Sequence, residues 1–214
     1  MVRILRFKEP VNTWTHLVTC IAAMVGMGFL VEMTHQSPGL MASMIIYGIS
    51  MIVLFAASSI YHALDVSEKA ELRLKKFDHV SIFMLIAGTY TPVFVVGLDG
   101  GWRITMLALV WSLALGGMVM KVFWIGVPRA LSTVLYVALG WIAVVPFYKL
   151  VQSLPTGAIV LMFGGGIAYT IGAVIYGTKK LDFFPGKFGH HEIFHLWVSA
   201  GAGLHFAMVA GYMA

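Results

Sequence analysis

Seven stretches of this chain are long and apolar enough to cross a bilayer, and nothing constrains its fold more. They run approximately over 15–34, 40–62, 78–97, 103–122, 130–150, 156–177 and 191–213. A spanning helix needs about 17–25 predominantly apolar residues. Of 214 residues, 60% are apolar and 11% charged, with a mean hydropathy of +0.90. A soluble single-core domain cannot hide that much apolar surface, so many of these side chains face lipid. Helices satisfy every backbone group internally, and the segments are too long and too continuously apolar for barrel strands. The expectation is an all-α membrane protein, a seven-transmembrane helix bundle occupying residues 1–214 as a single domain. No internal repeat, low-complexity tract or extramembrane domain is expected.

The breaks between segments carry turn or charge signals: Ser37-Pro38-Gly39, the charged stretch from Asp65 to Lys76, Asp99-Gly100-Gly101, Gly126-Val127-Pro128, Leu154-Pro155 and Lys179 to Gly189. Orientation follows from Lys and Arg. With the N-terminus inside, the inner side holds Arg3, Arg6, Lys8, Lys69, Arg73, Lys75, Lys76, Lys121, Arg129, Lys179, Lys180 and Lys187, and the outer side only Arg103 and Lys149. That bias predicts a cytoplasmic N-terminus, and an odd number of spans then puts the C-terminus outside. The multi-pass chain is expected in the cell's inner (plasma) membrane. The start of the chain shows no small-residue cleavage site after a short apolar core, so no removable signal peptide is expected. Cys20 is the one cysteine, which excludes a disulfide framework. The net charge of +5 is that of basic inner loops, and no nucleic-acid partner is expected. Gly164-Gly165-Gly166, with Gly172 and Gly177, predicts close helix contact along the sixth segment.

This topology gathers scattered polar residues. The second segment ends on the inner side at Ser58-Ser59-Ile60-Tyr61-His62, the third starts there at Asp78-His79, and the seventh starts there at His190-His191-Glu192-Ile193-Phe194-His195. His191 and His195, at i and i+4, share one helix face and can grip one ion. Polar groups near hydrocarbon are costly, which makes them functional-site candidates. Three neutral imidazoles with an open fourth position form a catalytic-type zinc site, and zinc lowers the pKa of bound water to about 7. His62, His191 and His195 are the expected metal ligands and zinc the expected cofactor. Asp78 and Ser58 are the expected catalytic residues. Asp78 would bond the activated water or orient a ligating imidazole. Ser58, one turn before His62, would bond the same water or a substrate carbonyl. Glu192, on the same turn as the ligands, is a further candidate proton acceptor.

His191 to His195 also spells H-E-x-x-H, the helix motif of soluble zinc peptidases. No Asp or Glu follows Glu192, and the extended spacing would put a third histidine at Gly201. The third ligand must therefore come from another helix, and His62 is the best candidate.

An ordered set of motifs then points to a family. Glu9 with Asn12-Thr13-Trp14-Thr15-His16, Ser58-Ser59-Ile60-Tyr61-His62, Lys76-Phe77-Asp78-His79, Ala87-Gly88-Thr89-Tyr90-Thr91-Pro92 and His191-x-x-x-His195 resemble the haemolysin III branch of the progestin and adiponectin receptor (PAQR) family. The resemblance covers essentially the whole chain. In the wider family, which includes alkaline ceramidases, it implies a zinc site made from the Ser-x-x-x-His, Asp and His-x-x-x-His positions. Here these are Ser58, His62, Asp78, His191 and His195. No counterpart of the long cytoplasmic N-terminal domain of the receptor members is expected.

The remaining histidines, His16, His35, His79, His190 and His205, are read as ordinary interfacial residues, with His205 needing a partner because it falls inside the seventh segment. Pro92 is read as a kink in the third segment, and Tyr61 and Tyr90 as packing or cavity-lining residues. The foremost functional expectation is a zinc-dependent hydrolase of a lipid amide or ester, with a membrane lipid or fatty-acid-like ligand entering from the inner leaflet. A lipid receptor or homeostasis protein with a structural zinc is the alternative, and a homo-oligomer is compatible with either. A channel or haemolytic pore ranks below both, because the ionisable residues cluster at inner ends instead of lining a path.

Overall fold

The computed structural model describes residues 7–184 and 188–214. Arg3, Arg6 and Lys187, counted above on the inner side, lie outside the described residues. Among the described residues eight α-helices follow one another: α1 (Pro10–Thr34), α2 (Pro38–Ala63), α3 (Glu68–Gly97), α4 (Gly100–Phe123), α5 (Arg129–Gly140), α6 (Phe147–Ser153), α7 (Thr156–Thr178) and α8 (His190–Tyr212). Six are long and apolar enough to cross a membrane, and α5 with α6 makes a seventh if that bent pair is one span.

Local sequence explains the boundaries. Pro10 and Pro38 sit in the first turns of α1 and α2, where a missing N–H costs nothing. α3 begins at Glu68, well before the apolar span expected from residue 78. Its first turns are built from Glu, Lys, Ala, Leu and Arg, all strong helix formers, and Glu68 and Glu71 complement the helix dipole. Polarity had marked this stretch as a loop, but it limits only how much of α3 enters the membrane. Pro92 lies inside α3, which runs through it without interruption.

The expected span 130–150 needs a correction. The chain bends by 52° between Arg129–Val144 and Phe147–Ser153. Pro146 explains the break, since its ring clashes with the preceding turn and it donates no hydrogen bond. Backbone groups freed inside a membrane need partners, and Tyr90 of α3 supplies them: its hydroxyl donates to Gly140 O and accepts from Ala143 N.

α3 is the central helix. Of its apolar stretch 67% is buried, against 28% for α1 and 22% for α4. Tyr47, Phe55, Phe94 and Met106 are fully enclosed around it, while Val18, Ile21, Val25 and Phe29 of α1 face outward. α7 and α8 pack closely through two glycines of the expected set. A Cβ at Gly165 would overlap the His205 ring, and one at Gly172 would stand 2.9 Å from Trp197 Cβ. Gly164, Gly166 and Gly177 meet nothing that close.

Candidate metal centre

The centre is built where the start of α1, the end of α2 and the start of α8 meet. Backbone bonds from Lys8 N to Ala63 O (3.2 Å) and from Glu9 N to His62 O (2.9 Å) lay the approach to α1 along the end of α2. Side chains continue the seam, with Ser59 Oγ donating to Thr13 O at 3.1 Å. This places the Glu9 carboxylate against His62, whose Nδ1–H donates to Glu9 Oε2 at 2.8 Å. The bond fixes the tautomer, so the lone pair of His62 resides on Nε2. That contact holds the Glu9 carboxyl down at about 2, well below its ordinary value.

His191 and His195 lie on one face of α8, their Nε2 atoms 3.3 Å apart. The potential ligand atoms of His62, His191 and His195 all lie within 4.8 Å of one another. His62 and His195 are both 2% exposed. Buried imidazoles whose nitrogens face each other lack enough complementary donors, whereas one divalent ion satisfies all three lone pairs at once. The donor set therefore fits zinc, which three neutral imidazoles bind with a fourth position free.

Around the three histidines the structure shows three groups whose contacts sequence reading missed. Buried Asn12 donates from Nδ2 to Glu9 Oε2 at 2.7 Å and to Glu192 Oε1 at 3.2 Å. It thus ties the carboxylate that holds His62 to the one at the head of α8. Glu192 Oε2 in turn accepts from Gly189 N at 2.8 Å, so this carboxylate caps the helix that carries His191 and His195. Its oxygens are occupied, which argues against a role as proton acceptor. His16 is not interfacial: it is 2% exposed and its ring stacks on His195 with centroids 3.9 Å apart. The signal was present in the spacing, because Asn12, His16, Cys20 and Ala23 form one buried stripe on α1.

The centre opens on a cavity of about 500 Å3 lined also by Ser58 and Asp78. Ser58 is 2% exposed, one turn before His62. Asp78 places Oδ2 3.4 Å from His79 Nδ1. The cavity lining continues along α8 from His190 to Met208, roughly 27 Å at 1.5 Å per residue. Away from the centre its walls are mainly apolar, with Leu85, Val93, Phe163 and Met208 among them, and Tyr90 and His205 also border it. His205 finds its partner in Met162 O at 3.0 Å.

Fold and site together define a multi-helix membrane protein with a three-histidine centre at one end of an internal cavity. The chain belongs to the haemolysin-III-related family, whose model matches residues 5–206. It is 34% identical over 207 residues to the hemolysin-3 homolog of Bacillus subtilis, covering 96% of this chain and 94% of that protein. It is 32% identical over 219 residues to hemolysin-3 of Bacillus cereus, covering 100% and 96% respectively. The adiponectin receptor protein of Drosophila melanogaster is 28% identical over 226 residues, covering 92% of this chain and 49% of the receptor. The resemblance drawn from the ordered motifs is borne out.

Proposed function

We propose that this protein is a zinc-dependent hydrolase of a lipid amide or ester, held in the plasma membrane with its N-terminus and metal centre on the cytoplasmic side. The observation that carries the reading is the convergence of His62, His191 and His195 at one end of a long, mainly apolar cavity that also bears Asp78 and Ser58. His62, His191 and His195 would hold the ion, which when bound activates water at neutral pH and polarises a carbonyl. The chain's own groups do the rest. Asp78 takes a proton from the attacking water and returns it to the leaving amine or alcohol. Ser58 hydrogen-bonds the substrate carbonyl or the water. The apolar walls hold the acyl chain so that its carbonyl end lies at the histidines, and Glu9 keeps His62 turned inward. The excess of Lys and Arg at this end of the bundle supports the cytoplasmic placement.

The test is zinc content and turnover of the purified full chain across a panel of lipid amides and esters. His62→Ala should lose both metal and turnover. Asp78→Asn should keep zinc and fold while turnover falls by about 10²–10⁴, the range for a positioned acid–base group. Zinc-loaded wild type that cleaves nothing in the panel overturns the proposal.

A second reading draws on the same linkage. The ligands belong to α2 and α8, and Asn12 of α1 is bonded to the network behind them. A zinc ion there would pin three helices, and the protein would sense a lipid or membrane state through their packing. Under that reading Asp78→Asn leaves biological function intact.

A further inference from the structure

Lys121, near the C-terminus of α4, is the most deeply buried cation among the described residues, at 1% exposed. Its Nζ donates to Ser132 Oγ of α5 at 2.5 Å and stands 5.9 Å from the Tyr136 ring centroid. Both partners are neutral. Among the described residues no carboxylate lies within ion-pair distance of it. A buried ammonium without a counter-charge is strongly disfavoured.

Its surroundings say what would compensate it. Buried Lys121 and the more exposed Lys75 and Arg129 line the cavity, as do Ser132 and Thr133, whose hydroxyls donate to Pro128 O and Arg129 O. Arg129 is oriented by Tyr176, with its guanidinium 4.6 Å from the ring centroid. Of the carboxylates on the same cavity, Glu9 is engaged by His62 and Asn12, Asp78 stands 3.4 Å from His79 Nδ1, and neither is within ion-pair distance of Lys121. Three cations lining a mainly apolar channel match a ligand with a multiply charged, oxygen-rich head and an apolar tail. A phosphate group, with up to two negative charges and three acceptor oxygens, satisfies more of these donors than a carboxylate can.

We infer that Lys121, with Arg129, Lys75 and Ser132, forms a recognition site for the phosphate monoester head group of a lipid whose acyl chain occupies the cavity. This narrows the ligand class of the proposed lipid site and rests on the reading of the cavity as a lipid channel. It does not require hydrolysis.

The experiment measures binding of fluorescent lysophosphatidic acid and chain-matched lysophosphatidylcholine to the zinc-loaded full chain in detergent. Wild type should prefer lysophosphatidic acid by about tenfold or more, the size of one charge-assisted hydrogen bond. Lys121→Met should erase the preference with zinc content unchanged, and Lys121→Arg should restore part of it. If Lys121→Met does not fold, Arg129→Gln and Ser132→Ala should each reduce the preference at least threefold. Equal binding of the two lipids, or a preference that survives in every variant, overturns the inference. So does competition by inorganic phosphate at matching concentration, which would make free phosphate the ligand, or equal binding of oleate, which would make any anion sufficient. A preference lost on chelation places the anion on the metal instead and also overturns it. Turnover of lipid amides or esters is read separately, so a failed hydrolase reading leaves this result interpretable.

Discussion

The Nδ1–H of His62 donates to Glu9 Oε2 at 2.8 Å, and this bond decides which nitrogen of His62 faces the centre. Ligating histidines are held this way by outer carboxylates, and removing such a partner typically costs 10–100-fold in metal affinity. Glu9→Ala should therefore weaken zinc binding by about 10–100-fold while leaving the helical circular dichroism unchanged. Competition with a chelator of known affinity measures it. Unchanged affinity would mean that helix packing alone holds His62.

Asn12 spans two carboxylates, at 2.7 Å from Glu9 and 3.2 Å from Glu192. Its loss removes the donor between them, leaving Glu9 only the His62 bond and Glu192 only the Gly189 bond. Asn12→Ala should destabilise the chain by about 1–3 kcal/mol, the cost of unpaired buried polar groups. It should also loosen the register of α8 against α1 and so weaken zinc binding. A lowered thermal midpoint with zinc affinity intact would confine Asn12 to structure.

Much of this arrangement was legible in the chain, and the part that was not has separate physical causes. His191 and His195 declare themselves by i, i+4 spacing, and His62 by the parity of spans that brings the end of α2 and the start of α8 to one side. Glu9, Asn12 and Glu192 form contacts across 53 and 180 residues, and no local periodicity reports a bond of that range. His16 could have been placed on the buried stripe of α1, but a single histidine near a helix end carries little weight alone. Pro146 sat in plain view inside the fifth apolar segment, and hydropathy outweighed it. Polarity likewise hid the first turns of α3, because charge excludes a stretch from lipid without excluding it from a helix.

Gly165 and Gly172 let α7 approach α8, which carries two of the three clustered histidines. Gly172→Leu would drive a branched side chain into Trp197 and Phe194, the nearest of which stands 2.9 Å from a bare Cβ. Overpacking of this kind costs about 1–3 kcal/mol. The variant should melt earlier and bind zinc less tightly, because His191 and His195 ride on the displaced helix. Gly164→Ala, where a Cβ has its nearest neighbour at 3.7 Å, is the control and should do neither, whereas Gly172→Ala already brings its Cβ to 2.9 Å from Trp197. Thermal unfolding followed by tryptophan fluorescence, with and without chelator, separates the two.

Tyr90 partners the backbone that the α5–α6 bend leaves open, donating to Gly140 O and accepting from Ala143 N. Tyr90→Phe keeps the ring, which stacks on Phe94 with centroids 5.0 Å apart, and removes only the hydroxyl. A buried carbonyl and N–H then lose their partner, at a cost of about 1–3 kcal/mol. The loss should be local. Hydrogen exchange should speed up around Gly140–Val145, where opening becomes easier, while α1, α2 and α8 keep their protection. Zinc affinity should stay within about twofold of wild type, since additivity holds for sites that share no partners. Faster exchange across all helices would instead mean that the bend is coupled to the whole bundle, and that Tyr90 anchors more than the two groups it touches.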